Sequence, residues 1–360
     1  MYKERVISSS LGELVVEDFR CVQRAELVLD PKQNLIWGSN GSGKTSLLEA
    51  IFLLGRGRSF RTRNSERLIR HGQPHLTVFG RIAGDRPNSI GVQVTRSGGV
   101  GTIARLNGVN ARSLTELSQA FPVQVIDPGV HKLVEEGGFR RRRWMDWAVF
   151  HVEPGFAEQW VRYTRAVKQR NAALRHQPAQ AFAWDPEVAK LGEAIAEARL
   201  RMLDQLQPLW RQAISTLCGL DVELHYSRGW SQDISLAQAL TDSRARDQAK
   251  GLTHSGPHRA DVLIRIGSRA AREVLSRGQQ KLAAIAMTLA QVRLLREQTD
   301  TTPTLLLDDP AAELDAQHLQ RFIDLVGQLR SQLVLTSLQP HFDLFGRAER
   351  VFHVEQGRLT

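Results

Sequence analysis

Trp37-Gly38-Ser39-Asn40-Gly41-Ser42-Gly43-Lys44-Thr45 is a complete G-x-x-x-x-G-K-[ST] phosphate loop, and its flanks give it the required setting. Upstream, Asn34-Leu35-Ile36-Trp37 reads as a short buried strand; downstream, Ser46 to Leu54 has helical apolar spacing expected to stop at Gly55. Gly38, Gly41 and Gly43 let the backbone turn successive N–H groups toward phosphate oxygens at the positive end of the following helix. The expected triphosphate cradle is therefore Gly38, Ser39, Asn40, Gly41, Ser42, Gly43, Lys44, Thr45 and Ser46. Lys44 neutralises the β- and γ-phosphates, and Thr45 offers a hydroxyl to Mg²⁺, which prefers octahedral oxygen ligands.

Further along, Pro303-Thr304-Leu305-Leu306-Leu307-Asp308-Asp309 is an apolar strand ending in two carboxylates. Asp308 is the expected Mg²⁺ partner through water, and Asp309 stands where a carboxylate polarises the attacking water. Aspartate reaches one methylene less far than glutamate, so slow hydrolysis is expected. Between the two motifs lies Val274-Leu275-Ser276-Arg277-Gly278-Gln279-Gln280-Lys281, followed by Leu282, Ile285, Leu289 and Val292 at helical spacing. Ser276 and Gln279 form a capping box, which is its purely structural explanation. In the functional reading Ser276, the Gly278 amide and the helix's positive end make a second anion site, serving the nucleotide of a facing subunit. Pro310 to Asp315 begins a helix, and Gln332-Leu333-Val334-Leu335-Thr336-Ser337 is a further buried strand, the tail of a doubly wound sheet.

In this order, the motifs resemble those of ABC-type ATPases: phosphate loop, Leu-Ser-x-Gly-Gln signature, acidic strand, Glu-Leu-Asp. Gly57-Arg58-Ser59-Phe60-Arg61-Thr62, Gln169-Arg170-Asn171-Ala172-Ala173-Leu174 and Gly256-Pro257-His258-Arg259 extend the similarity, nearly end to end, to the RecF family of bacterial recombination mediators. The resemblance implies an ATP- and Mg²⁺-dependent DNA-binding protein that dimerises on ATP. It also implies a role in loading recombinase at single-strand gaps with RecO- and RecR-type proteins. Carried over by motif, Lys44 and Asp309 are catalytic and Thr45 and Asp308 hold the metal. Ser276, Arg277, Gly278 and Gln279 act across the dimer, and Glu313 and Asp315 face the partner subunit. Gln124 is a candidate link between metal and second lobe; the alternative is an ordinary strand residue. Arg58, Arg61, Arg63, His258 and Arg259 are candidate DNA contacts, against a solvated basic loop for the first three and a turn re-entering the sheet for the last two.

Three positions depart from the family. Pro310 stands where an aliphatic residue is usual and is expected to bias Asp309 toward extended geometry. Ala260 replaces an acidic residue, so no catalytic role falls there. Thr336 and Ser337 occupy the place of a histidine that senses γ-phosphate in many ABC ATPases.

The expected fold is α/β: an ABC-type phosphate-loop ATPase lobe, a mixed sheet with helices plus an antiparallel β subdomain, with an inserted mainly helical second lobe. Residues 1–130 form the first part of the ATPase lobe, with alternating stretches at His75–Gly80 and Ile90–Thr95 and turn signals at Gly98-Gly99 and Asn107-Gly108. Residues 131–252 form the helical lobe, in which the periodicity from Glu187 to Leu217 is broken by Pro208. Residues 253–360 complete the ATPase lobe. No heptad run supports an extended coiled coil, which disfavours an SMC-type architectural protein.

The chain has 360 residues, 42% of them apolar, enough for a sizeable core. Its net charge of +10 suits a polyanionic partner. In Arg140-Arg141-Arg142-Arg143 successive side chains face different directions on a helix, and some are expected to pair with Glu135 and Glu136. Cys21 and Cys218 lack metal-ligand spacing and read as reduced thiols. No apolar run is long enough to span a bilayer and no signal segment is evident, so a cytoplasmic, nucleoid-associated protein without a membrane partner is expected. The energy-supplying subunit of a membrane transporter shares the core motifs; the basic charge and the RecF-like stretches weigh against it.

Overall fold

The computed structural model describes residues 10–84, 88–96, 101–111, 113–299, 301–312, 314–340 and 345–360. Gly98-Gly99 and Glu313 lie outside the described residues. The chain divides into two compact units, residues 1–130 with 295–360, and residues 131–294. The return to the first unit thus comes at Leu295, inside the helix Arg277–Thr299, and not at Thr253. The cause is local: the signature helix is continuous, and its first four turns pack with the residues before it, as when Gln291 donates to the Trp144 carbonyl at 2.6 Å.

The first unit contains two sheets. One is antiparallel, in spatial order Val22–Val28, Ser10–Phe19, His75–Ala83, Asn88–Thr95, Thr102–Leu106 and Val109–Asn110. Its alternating burial, seen for example in His75–Ala83, turns Leu76, Val78 and Ile82 into the core. The other sheet runs Arg358–Leu359, Arg350–Glu355, Gln33–Trp37, Leu333–Ser337, Thr304–Leu307 and Val123–Ile126, parallel throughout apart from the terminal hairpin. The central parallel strands are continuous apolar runs, as expected where both faces are covered.

The phosphate-loop helix, Lys44–Arg56, shares one core with both sheets. Leu47, Leu48, Ile51 and Leu54 pack in the same cluster as Leu14, Val78 and Val92 of the antiparallel sheet and Ile36, Leu306 and Val334 of the parallel one. A helix apolar on nearly every face is thereby satisfied. It runs through Gly55 and is capped at Gly57. A Cβ at residue 55 would lie 2.3 Å from the Phe121 carbonyl oxygen, so Gly55 is the site of a close approach, not a stop.

The second unit is mainly helical. Its longest helix, Asp185–Cys218, passes through Pro208 without ending. Proline removes one backbone hydrogen bond, and burial of Leu203, Leu206 and Trp210 around it holds the flanking turns. The strand Asp261–Ile266 pairs with Glu223–Ser227 and Arg269–Ala270 in a separate three-stranded sheet and does not re-enter the nucleotide sheet. The arginine run is largely consumed here. Arg140 pairs with Glu136, Arg141 grips Asp261 through two bonds of 2.8 Å, and Arg142 donates to the Ala260 carbonyl at 2.6 Å. Both cysteines are free.

Candidate functional site

Three strands deliver the chemistry to one edge of the parallel sheet. Gln33–Trp37 runs into the glycine loop, Thr304–Leu307 ends at Asp308 and Asp309, and Leu333–Ser337 lies between them with Thr336 near its end. Thr45 Oγ1 shares its proton between the two Asp308 oxygens at 2.9 and 3.1 Å. Thr336, fully buried, donates to Asp308 Oδ1 at 2.9 Å and accepts from the Asp309 N–H at 2.8 Å. One hydroxyl therefore fixes one carboxylate directly and the other through its backbone. Thr336 is thus committed within the sheet, and Ser337 accepts from the Gln339 N–H at 3.0 Å.

Asp309 does not take the extended geometry expected before Pro310. Its φ is +49°, in the left-handed region, where its N–H reaches Thr336 and the chain enters the short turn Pro310–Ala312. Burial pushes the Asp309 carboxyl up from the ordinary range; Lys44 draws it back and Asp308 adds to the rise. Burial lowers Lys44, opposed by the charges of Asp309 and Asp308. Two carboxylates and one ammonium thus share a partly desolvated edge.

Within the loop, Lys44 Nζ donates to the carbonyls of Gly38 at 2.7 Å and Ser39 at 2.9 Å. The buried Ser42 hydroxyl has no hydrogen-bond partner among the described residues, an arrangement that suits a phosphate oxygen. Thr45 and Asp308 give a hard oxygen donor set, which fits Mg²⁺. The terminal hairpin braces this loop from below: Gly357 N–H donates to the Ser42 carbonyl at 2.7 Å. A Cβ on Gly38 would sit 2.2 Å from the Val354 carbonyl oxygen, so strand and loop touch backbone to backbone.

Gln124 is not brought to these groups. It pairs in register with Leu305, whereas the site begins after the pair Leu307–Ile126. Three residues of strand at about 3.3 Å each separate Gln124 from the level of Asp308. The end of its strand instead places the Ile126 carbonyl against the Asp308 N–H at 3.0 Å, with Asp127 following.

Ser276 and Gln279 form the reciprocal capping box: Gln279 N–H donates to Ser276 Oγ at 3.3 Å and Ser276 N–H to Gln279 Oε1 at 3.0 Å. Ser276, Arg277 and Gly278 are exposed, and a Cβ on Gly278 would meet only the Ser276 Oγ, at 4.0 Å. Asp315 caps the helix Ala316–Leu329, and the hydrogen bond from His318 N–H holds its carboxyl below the usual range.

Arg61 and Arg63 are exposed and Arg58 half-buried on a loop tied to the phosphate-loop helix. The tie is Glu49, fully buried, which receives Arg20 at 2.8 and 2.9 Å together with the Ser59 hydroxyl. Ser59 in turn accepts from the N–H groups of Arg61 and Thr62 at 2.9 Å. A lone Glu inside an apolar helix was the signal for this anchor.

His258 is engaged internally. Its Nδ1 accepts from the Tyr163 hydroxyl at 2.6 Å, and its Nε2 faces the Thr253 carbonyl at 3.0 Å. Burial lowers its pKa to about 4. An unfolded chain takes up this proton near pH 6.5, and the folded unit does so only near pH 4. The stability at stake is therefore fully present above about pH 6.5 and lost as pH falls toward 4, by up to about 3 kcal/mol. Denaturant midpoints across this range are expected to fall more steeply in the parent than in His258→Gln; equal slopes would remove His258 as the cause.

Among the described residues, no helix is long and apolar enough to cross a membrane. The RecF/RecN/SMC N-terminal domain family matches residues 10–360, which places the chain among ATPases with the SMC-head type of fold. Within that class it belongs to the RecF family. It is 40% identical over 358 residues to the DNA replication and repair protein RecF of Shewanella baltica strain OS155, covering 98% of this chain and 99% of that one. The RecF of Shewanella sp. strain MR-4 is 41% identical over the same length. A solved structure of the recombination mediator protein RecF of the RecFOR pathway with ATP superposes with a TM-score of 0.90 at 25% identity, covering 100% of this chain and 99% of the other. The Smc head domain of Pyrococcus furiosus, at 16% identity and a TM-score of 0.59 over 98% and 95% of the two chains, shares the fold.

Proposed function

We propose that this protein is an ATP-switched DNA-binding protein of recombinational repair. Two copies close on ATP, the closed pair holds DNA at single-strand gaps, and slow hydrolysis releases it. RecR- and RecO-type proteins are its partners in loading recombinase. The reading is carried by the hydroxyl–carboxylate chain Thr45–Asp308–Thr336–Asp309 beside Lys44, and the family relation supports it.

In this function the loop from Gly38 to Ser46 cradles the triphosphate and Lys44 neutralises its outer phosphates. Thr45 and Asp308 hold Mg²⁺, which, when bound, offsets the charge that develops on the phosphates. Asp309 accepts the proton of the attacking water and aims it, with Thr336 keeping the backbone of Asp309 in place. Ser276, Arg277, Gly278 and Gln279 present the exposed start of their helix to the γ-phosphate held by the other copy, and Glu313 and Asp315 line the same closure. Arg58, Arg61 and Arg63 serve the bound DNA from a loop fastened to the phosphate-loop helix through Glu49.

Sedimentation without nucleotide and with ATP tests the switch. The parent is expected to shift from monomer to dimer on ATP, and Lys44→Met to remain monomeric in both conditions. Equal monomer fractions in all samples would end the model. DNA retention should follow the same pattern on gapped duplex.

A further inference from the structure

The stretches Gln169–Leu174 and Gly256–Arg259 meet in the second unit. Asn171 Oδ1 accepts the N–H and hydroxyl of Thr253 at 2.8 and 2.7 Å, and Tyr163 reaches His258 from the same helix, Phe156–His176. The Gly-Pro-His-Arg turn is fixed from beneath by Arg199, whose Nη1 donates to the Pro257 carbonyl at 2.6 Å while Asp146 holds its other nitrogens. Between helix and turn lies a cavity of about 250 Å³ lined by Tyr163, Thr164, Lys168, Asn171, Arg175 and His258.

The cavity is lined by cationic and neutral side chains with no carboxylate among them, the nearest acidic residue on the same face of the helix being Glu158, two turns before Arg165. On the same helix Arg162 is matched by Glu187 at 2.7 Å, and Arg170 by Asp185 and Asp247 at 2.8 and 2.7 Å. Arg165, Lys168 and Arg175 are exposed and form no ion pair with a described residue. At 100° per residue these three fall within an arc of about 80°, and they extend over about 15 Å of helix. Arg259 is also exposed, its guanidinium 3.5 Å from the Thr253 carbonyl that faces His258. His258, with both ring nitrogens occupied, contributes shape and no charge.

We propose that this face is a docking surface for a nucleic-acid phosphodiester backbone, with one phosphate entering the cavity between Lys168 and Arg175 and its neighbours meeting Arg165 and Arg259. The proposal rests on the DNA-binding reading above and locates a contact surface for it in the second unit. The 15 Å row matches the axial rise of about four phosphates on one strand at about 3.4 Å each. A cavity of this size is small for a drug-sized ligand and ample for a phosphate ester. Tyr163, Val167 and the aliphatic stems of Lys168 and Arg175 give it apolar walls, and the two cationic heads among the lining residues favour a phosphodiester over an uncharged apolar anchor.

The test uses the full chain, with Arg165→Ala/Lys168→Ala/Arg175→Ala compared with the parent on labelled gapped duplex with ATP. Salt is varied from about 0.05 to 0.3 M. Each lost phosphate contact flattens the log–log salt dependence by about 0.9, so the variant slope is expected to be shallower by about 2 to 3, with affinity near 0.1 M salt lower by roughly 30-fold. ATP binding and thermal unfolding should match the parent, since the three side chains are exposed, and Lys168→Arg/Arg175→Lys should retain DNA binding. A parent that binds DNA beside a variant of equal slope and affinity overturns the location alone. A variant that matches the parent on DNA but loses binding to polyglutamate also overturns it, assigning the face to an acidic polypeptide. A parent that binds no DNA removes the underlying reading and the proposal with it.

Discussion

Asp309→Asn is expected to lower ATP hydrolysis by about 100-fold or more while leaving ATP binding intact and lengthening the life of the closed dimer. A positioned general base contributes on the order of 10² to 10⁴ in rate, and an amide cannot accept the water's proton. The substitution keeps the side chain's size and leaves the backbone N–H on Thr336, the bond that sets the position of residue 309. The carboxyl's upward shift adds a pH signature. Asp309 must be ionised to act, and burial raises its pKa, so the parent's rate should fall on the acid side at a pH above the ordinary aspartate range. The residual rate of the variant should lack that limb. Single-turnover hydrolysis together with dimer dissociation decides the matter: unchanged values for both would remove Asp309 as the base.

Arg170→Met is expected to destabilise the second unit by about 3 to 5 kcal/mol. Arg170 is fully buried, and its guanidinium ties Asp185 on one helix to Asp247 on another and to the Thr253 hydroxyl at 2.9 Å. Methionine replaces much of the volume but leaves Asp247, itself fully buried, facing only Ser243 and His254. An uncompensated carboxylate in the interior costs far more than the ion pair was worth. Denaturant titration checks the magnitude, and Arg170→Met/Asp247→Asn is expected to recover part of the loss. If the double variant were no more stable than the single one, the buried charge would not be the cause.

The nucleotide-binding half of the molecule was legible because its chemistry is local. A glycine loop, the strand before it and the helix after it depend on residues within a few positions of one another, and so, in the second unit, does the capping box at Ser276. The misreadings arose where distant chain decides. Gly55 looks like a helix stop until Phe121 and Val123 pack against it. Pro208 looks like a break until the buried side chains around it hold the helix together. Thr336 has no special neighbours in sequence, yet it organises both carboxylates from the adjacent strand. Strand pairing is likewise invisible to periodicity, so Asp261–Ile266 could be recognised as a strand without its partner, and the depth of Gln124 within the sheet could not be read.

The glycine loop is finished only by the last hairpin. Gly357, at φ +77°, fits there because any side chain would meet the Cys21 backbone, a Cβ standing 2.1 Å from that carbonyl oxygen. Ribosomes add roughly 5 to 20 residues per second, so a growing polypeptide spends on the order of 15 to 60 s with Lys44 already made and residue 357 still to come. Throughout that interval the nascent loop lacks the Gly357 N–H that supports the Ser42 carbonyl, so a partly made chain should hold a triphosphate less firmly than one in which this hairpin has folded.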